Sequence, residues 1–475
     1  MDVKEFPSED PNTRGWVTTG GTKIACRRTP ESYLERNFHM EARFLVGTKD
    51  ELPVRLGGED KEGVAHTGEH TPYLGTESYP GSWAVPRLIE SKNGEWNATT
   101  GRDETNYWLH LPKDEAALAA QIIGELIRNP NPDPNVLQRE LRIIDTERAT
   151  ISEEGNDFRK LWQAVIGDNP FGYNIVGTKE SIASTTLNDI IKFRNKNYRS
   201  GRLALALEGD LPHEHMLELA LKTLDVAQKG GQLQPGITQQ PGDIPAYSGT
   251  VLLDERRDSE STTQTICFFN PEAGRGLFTD MQHMVAWGLF HDGSDAFSLN
   301  KLRVDKGLHY GHEAFSAFTR NHGLCGVTYK TLPENAKQVR ELLANELNAF
   351  GSNQQFYRQR LELIASQQIY RITDWHRRSP FYGTSELTRH LLYENAVPPR
   401  TYGIENFRRL NYDHMVEAVE NLRSNPPSIR LRGALADRPD YDQICEVFSA
   451  PSSVPRRAAN ALTVRAAHPD GKKLG

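Results

Sequence analysis

Two histidines four residues apart with a glutamate between them, His66-Thr67-Gly68-Glu69-His70, are the side chains of this sequence best suited to chemistry. On a helix, positions i and i+4 project from one face, one turn apart, so both imidazoles reach a single metal ion. Glu69 follows His66 by three residues and lies close to the same face. The H-x-x-E-H order inverts the H-E-x-x-H zinc motif and serves the same reaction, with two imidazole ligands and a carboxylate that handles the proton of an attacking water. The competing reading is two helical histidines beside a solvated glutamate, and with 15 histidines in the chain such a pattern also arises by chance.

A catalytic zinc takes three protein ligands and leaves one position open. The stretch 133–154 offers candidates. It begins with Asp133-Pro134, an N-cap followed by proline at the first helical position, and carries Leu137, Leu141, Ile144 and Ile151 at helical spacing. Glu140 and Glu147 stack two turns apart beside that apolar stripe. Taken alone, the helix reads rather as the edge of a solvated face whose glutamates pair with Arg139, Arg142 or Arg148.

Four stretches, GVAHTGEHTPYLGTESYP, NATTGRDETNYW, RELRIIDTE and LRVDKGLHY, follow one another in the order of the pitrilysin and insulinase family of zinc peptidases, and from about residue 16 to 440 the chain resembles that family. The resemblance implies a third zinc ligand about 75 residues beyond the motif; 147 − 70 = 77 places it at Glu147. It implies that Glu140 orients the ligands and that Asn97 and Ala98 contact the substrate backbone. Arg303 and Tyr310 match the pair that completes the active site from the second half of the chain. One zinc ion per chain and Glu69 as the base that activates water follow from the same likeness.

The family's architecture implies two homologous α+β domains, each a mostly antiparallel sheet covered by helices, together forming half of a clamshell. A homodimer, or a heterodimer with a related chain, would then close a chamber around unfolded peptides or exposed segments. The activity implied is a zinc endopeptidase. A peptidase devoted to one leader or precursor peptide and a non-catalytic scaffold subunit of the same fold are the alternatives. Two departures stand out. Thr71-Pro72 follows the second histidine where the family has helix-compatible residues, and Pro72 ends or kinks the helix there. The loop 48–63, TKDELPVRLGGEDKEG, is long and enters directly at the motif.

The elements that must position these residues are legible in outline. TTGGTKIACRR and NFHMEARFLVG alternate as strands bounded by turns, as does NATTGRDETNYWLHL, whereas DEAALAAQIIGELIRN has helical periodicity. TTLNDIIKFRNKNYRSGRLALALEGD reads as helix, loop and buried strand. The Gly-, Pro- and Gln-rich segment 231–246 is the best linker, dividing a zinc-binding domain over 1–230 from a related one over 247–450 that carries Arg303 and Tyr310. Beyond it, TQTICFFNP, GLFTDMQHMVAWGLF and GLCGVTYKT repeat the order of the first half. Residues 451–475 lack periodicity and read as a mobile basic tail.

Composition bounds the function. At 475 residues with 37% hydrophobic and 25% charged side chains, the chain is a globular protein with room for two cores. A net charge of −7 argues against a nucleic-acid partner. No apolar run spans a bilayer, and the start, MDVKEFPSEDPNTRG, lacks a signal-peptide core. Four scattered cysteines without a C-x-x-C pair read as free thiols of a reducing compartment, which places the protein in the cytoplasm.

Overall fold

The computed structural model describes residues 2–8, 10–29, 37–51, 61–151, 153–166, 170–229, 233–236, 249–256, 258–270, 276–291, 303, 306–320, 322–350, 354–378, 380–448 and 464–465. They form two compact units, each α+β. The units are not the consecutive blocks 1–230 and 247–450. The first combines Met1–Ile151, Tyr173–Asp243 and Ile369–Glu405; the second combines Ser152–Gly172, Ile244–Gln368 and Asn406–Gly475. Most of the linker 231–246 lies outside the described residues.

The first unit is built on a seven-stranded sheet: β1 (Val3–Phe6), β2 (Thr13–Thr18), β3 (Lys23–Arg28), β4 (Asn37–Phe44), β5 (Glu95–Thr100), β6 (Thr105–Pro112) and β7 (Leu203–Gly209). The order is β1-β2-β3-β7-β4-β6-β5, antiparallel throughout except for β3 beside β7. The alternating stretch from Asn97 onward is therefore two strands of a hairpin. β5 and β1 are the edge strands.

The helices of the first half are α1 (Val64–His70), α2 (Ala84–Ser91), α3 (Ala116–Ile127), α4 (Pro134–Thr150), α5 (Glu153–Ile166), α6 (Lys179–Ser184), α7 (Leu187–Asn197) and α8 (His213–Gln228). All but α5 belong to the first unit. Their apolar faces cover one side of the sheet, where Met40, Ala42, Phe44, Tyr107, Leu109, Leu205 and Leu207 form one core with Ile122, Ile123 and Leu224. Successive strand residues point to opposite sides, so His39, Glu41 and Arg43 face the other way. The helix Pro380–Tyr393 covers that second face, packing Leu387 and Leu391 on Ala25, Ala204 and Ala206.

The second unit repeats the winding. Its sheet contains β8 (Val251–Glu255), β9 (Thr262–Asn270), β10 (His309–Phe318), β11 (Gly323–Thr331), β12 (Ser428–Gly433) and β13 (Val464–Arg465), in the order β10-β11-β9-β12-β8-β13. Strands β10, β11, β9, β12 and β8 match β5, β6, β4, β7 and β3 in order. The parallel contact recurs between β12 and β8. Helix α5 covers this sheet through Leu161, Trp162, Val165 and Ile166, and Asp157 at its start pairs with Arg430 and Arg432, each at 2.8 Å. Of the expected tail, Val464–Arg465 pair with β8 as a strand; the rest lies outside the described residues. In both units a helix follows the strand after the parallel pair's first member: α1 after β4, and α9 (Leu277–His291) after β9. Only α1 carries H-x-x-E-H.

Candidate metal centre

Helix α1 is only seven residues long, so its orientation depends on what holds its ends. Gly63 at its N-cap has φ 89°, and a Cβ there would stand 2.6 Å from Gly177 Cα and Val176 O, so close approach and backbone conformation both require glycine. With no side chain at the cap, the Glu51 carboxylate takes its place, accepting from Gly63 N at 3.0 Å and Ala65 N at 3.1 Å. A carboxylate at this end also meets the positive end of the helix dipole.

At the other end, Pro72 closes the α-helix immediately after His70, and the chain tightens into a 3-10 turn over Thr71–Leu74. His70 keeps helical geometry, φ −63° and ψ −38°. The carbonyl of Gly68, which loses an i+4 donor because Pro72 has no N–H, accepts instead from Arg194 Nη1 at 3.0 Å and Tyr107 Oη at 3.4 Å.

The metal-competent atoms of His66, Glu69 and His70 lie within 4.8 Å of one another. Helix α4, begun by Asp133 accepting from Asn135 N at 2.7 Å, brings both of its glutamates to this cluster. Glu147 Oε1 stands 3.6 Å from His66 Nε2, and Oε2 3.9 Å from His70 Nε2. Glu140 Oε1 meets His70 Nδ1 at 2.9 Å. On the other flank, Thr100 Oγ1 of β5 donates to Glu69 Oε2 at 2.8 Å.

This donor set fits zinc. Ligands about 2.1 Å from a tetrahedral ion are separated by roughly 3.4 Å, longer than a hydrogen bond and close to the spacing of the imidazole nitrogens and the Glu147 oxygens. With Nδ1 of His70 engaged by Glu140, its Nε2 is the nitrogen turned to the cluster, the usual arrangement of a ligating histidine and its carboxylate partner. Glu147 is half exposed, so the centre opens on that side.

The electrostatics of the two imidazoles differ. Burial, with the charge of His70, pushes His66 down to about 3, keeping its ring neutral and its lone pair available. Burial acts in the same direction on His70 but is outweighed by Glu140, Glu69 and Glu147, so its pKa lies above the usual value. Burial pushes Glu69 up to about 7, with His70 and Thr100 opposing the rise, which places it in the range of a base working near neutrality.

The structure thus brings His66, Glu69, His70, Glu140 and Glu147 together. Asn97 and Ala98 lie on the edge strand β5, Asn97 exposed and Ala98 buried. Arg303 is an exposed residue of the second unit, and Tyr310 lies on β10 with its side chain outside the described residues. Three contributors escaped sequence reasoning. Thr100 shares the parity of Trp96 and Ala98 on β5, so strand alternation could have pointed it toward α1. Arg194 reads as one more surface cation of α7, and Glu51 as part of a polar loop; neither carries a local signal.

An inverted motif on a short helix, met by a glutamate pair from a later helix, in a chain whose first sheet is wound a second time, defines an α+β protein of the inverted zinc-motif class. Two adjoining stretches narrow this further. Residues 55–179 match the family described as Insulinase (Peptidase family M16), and residues 184–367 match Peptidase M16 inactive domain. The chain belongs to the pitrilysin and insulinase family. It is 26% identical over 263 residues to a probable mitochondrial-processing peptidase subunit beta of Schizosaccharomyces pombe, covering 54% of each chain. It is 24% identical over 309 residues to an uncharacterized zinc protease of Mycobacterium leprae, covering 64% of this chain and 66% of that one. The chain spans about half the length of the first of these relatives. Among solved structures, the peptidase M16 inactive domain from Pseudomonas fluorescens superposes with a TM-score of 0.72 at 18% identity, over 93% of this chain and all of that one.

Proposed function

We propose that the chain is a zinc-dependent endopeptidase that hydrolyses unfolded peptides or exposed peptide segments. The observation that carries this is Glu69, a buried carboxylate fixed by Thr100 at 2.8 Å and set between two imidazoles that share Glu147. His66, His70 and Glu147 would hold the ion. A bound zinc supplies Lewis acidity to the scissile carbonyl and acidifies water.

Glu69 takes the proton of the attacking water and returns it to the leaving amine nitrogen. Glu140 fixes the His70 ring through Nδ1. Asn97 and Ala98 offer the backbone of an edge strand, to which an extended peptide adds as a further strand. Arg303 and Tyr310 are assigned to the substrate carbonyl and its developing negative charge, on the strength of the LRVDKGLHY match. A second chain, identical or related, completes the enclosure; the relative's name as a subunit favours this.

Zinc content and peptide cleavage of the native chain and of Glu69→Gln test the reading together. The expected result is equal metal in both, with cleavage by the variant lower by about 10²- to 10⁴-fold. Metal in both and cleavage in neither would reject the peptidase and leave a scaffold of the same fold.

A further inference from the structure

Beside the metal centre, three aromatic rings run from the core to the surface. Tyr73, in the turn after α1, is buried; its ring centroid lies 4.4 Å from that of half-buried Trp96 on β5. Trp96 in turn meets Trp83, edge to face at 5.8 Å, and Trp83 is 44% exposed. The row belongs to the same neighbourhood as the base. Tyr73 follows His70 by three residues, and its hydroxyl reaches the Asn97 carbonyl at 3.4 Å.

The conformation of Trp83 is unusual. It has φ 62° and ψ 17°, the left-handed region that bulky side chains avoid, and it occupies the N-cap of α2 with its N–H bonded to Tyr73 O at 3.0 Å. Strain of this kind persists where the surroundings over-determine it, commonly at ligand sites. Here it presents an indole to solvent against another indole rather than burying either.

Strand geometry relates the rings to the reaction. Trp96, Ala98 and Thr100 share one face of β5, and Thr100 is the residue bonded to Glu69. A peptide strand laid along the β5 edge carries side chains on that face at every second position. The side chain about two to four positions from the bond presented to Glu69 therefore arrives over Trp96 and Trp83.

We propose that Trp83 and Trp96 form a subsite for an aromatic or large apolar side chain of the bound peptide, displaced by those few positions from the cleaved bond. This rests on the peptide-hydrolysis reading and adds the substrate class. Flat rings on one wall and an open face on the other suit a planar or branched apolar group, which covers the exposed indole as it binds.

The test uses the full chain carrying Glu69→Gln and nonapeptides of Ala and Ser in which one Phe is moved from position to position, with binding followed by calorimetry. One position should bind at least about tenfold more tightly than the Phe-free peptide. Adding Trp83→Gly, which relaxes the strained backbone, or Trp96→Thr, which keeps a strand-forming residue, should reduce that peptide to the Phe-free level. Equal affinity at every position, a preference that survives both substitutions, or binding by none of the peptides overturns the proposal. Digestion of the same peptides by the native chain separates the two readings. Cleavage without positional preference rejects the subsite and keeps the peptidase; positional binding without cleavage does the reverse.

Discussion

Arg194 donates through Nη1 to the carbonyl of Gly68 at 3.0 Å, and so supports the middle of the motif helix at the point where Pro72 has removed the helical donor. The same guanidinium reaches the carbonyls of Leu126, Ile127 and Arg128 at the end of α3 and lies over the Tyr198 ring at 4.4 Å. One buried cation therefore ties the motif helix to the core.

This compensation is testable as a cycle. Arg194→Met should lower the melting temperature and weaken zinc retention, because four carbonyls lose a charged donor. Pro72→Ala restores an N–H near Gly68 O, so the double variant should recover part of the loss, with a coupling of about 0.5–2 kcal/mol. Strict additivity of the two substitutions would reject the account.

Glu140 contacts His70 at 2.9 Å, on the nitrogen turned away from the cluster. Replacing it should weaken zinc binding by about 10- to 100-fold, with Glu140→Gln toward the lower end and Glu140→Leu toward the upper. Competition with a chromogenic chelator measures this. Unchanged affinity in Glu140→Leu would remove Glu140 from the centre.

The pH dependence of stability should show His39, which is 2% exposed. Burial, with the neighbouring His110, pushes its pKa down to about 3 from the usual 6.5. Between these values the unfolded chain binds a proton that the folded chain does not, so stability is full above about pH 6.5 and falls as pH drops toward 3. Melting temperatures of the native chain and His39→Gln between pH 7 and pH 5 should diverge, the variant showing the shallower decline. Parallel slopes would count against a buried neutral imidazole at this position.

Gly383, in the helix that covers the second face of the first sheet, meets a buried carboxylate: a Cβ there would lie 1.7 Å from Glu208 Oε2, so that side chain would have to move. Gly383→Ala should cost about 1–3 kcal/mol in denaturant unfolding, and Glu208→Ala in the same chain should return much of it. A neutral Gly383→Ala would mean that the Glu208 carboxylate turns aside without cost.

The core of the site was legible because its signals are local. His66, Glu69 and His70 occupy five consecutive residues, and Asp133-Pro134 announces the helix that brings Glu140 and Glu147. What escaped depends on contacts between residues distant in the chain. The alternation of Phe38, Met40, Ala42 and Phe44 with His39, Glu41 and Arg43 reads as one buried and one solvated face, yet both are buried. Glu41 and Arg43 pair at 2.7 Å beneath Thr388, a partner more than three hundred residues away. For the same reason the units do not follow the linker: α5 and the helix Pro380–Tyr393 each belong with a sheet from the other stretch of sequence. No periodicity within either helix specifies which sheet it covers. The repeat, weak in composition, is plain in strand order because topology outlasts side-chain identity.

The helix Pro380–Tyr393 also sets a schedule for synthesis. The last helix of the first unit's early segments, α8, ends at Gln228, so 380 − 228 = 152 residues must be added to reach the first residue of the cover. At about 5–20 residues per second, a ribosome needs roughly 8–30 seconds to supply them. Throughout that interval the nascent first sheet carries His39, Glu41, Arg43 and Glu208 on an uncovered side. Because these ionisable side chains stand among Ala25, Ala204 and Ala206, the face that waits for its cover is mixed rather than wholly apolar.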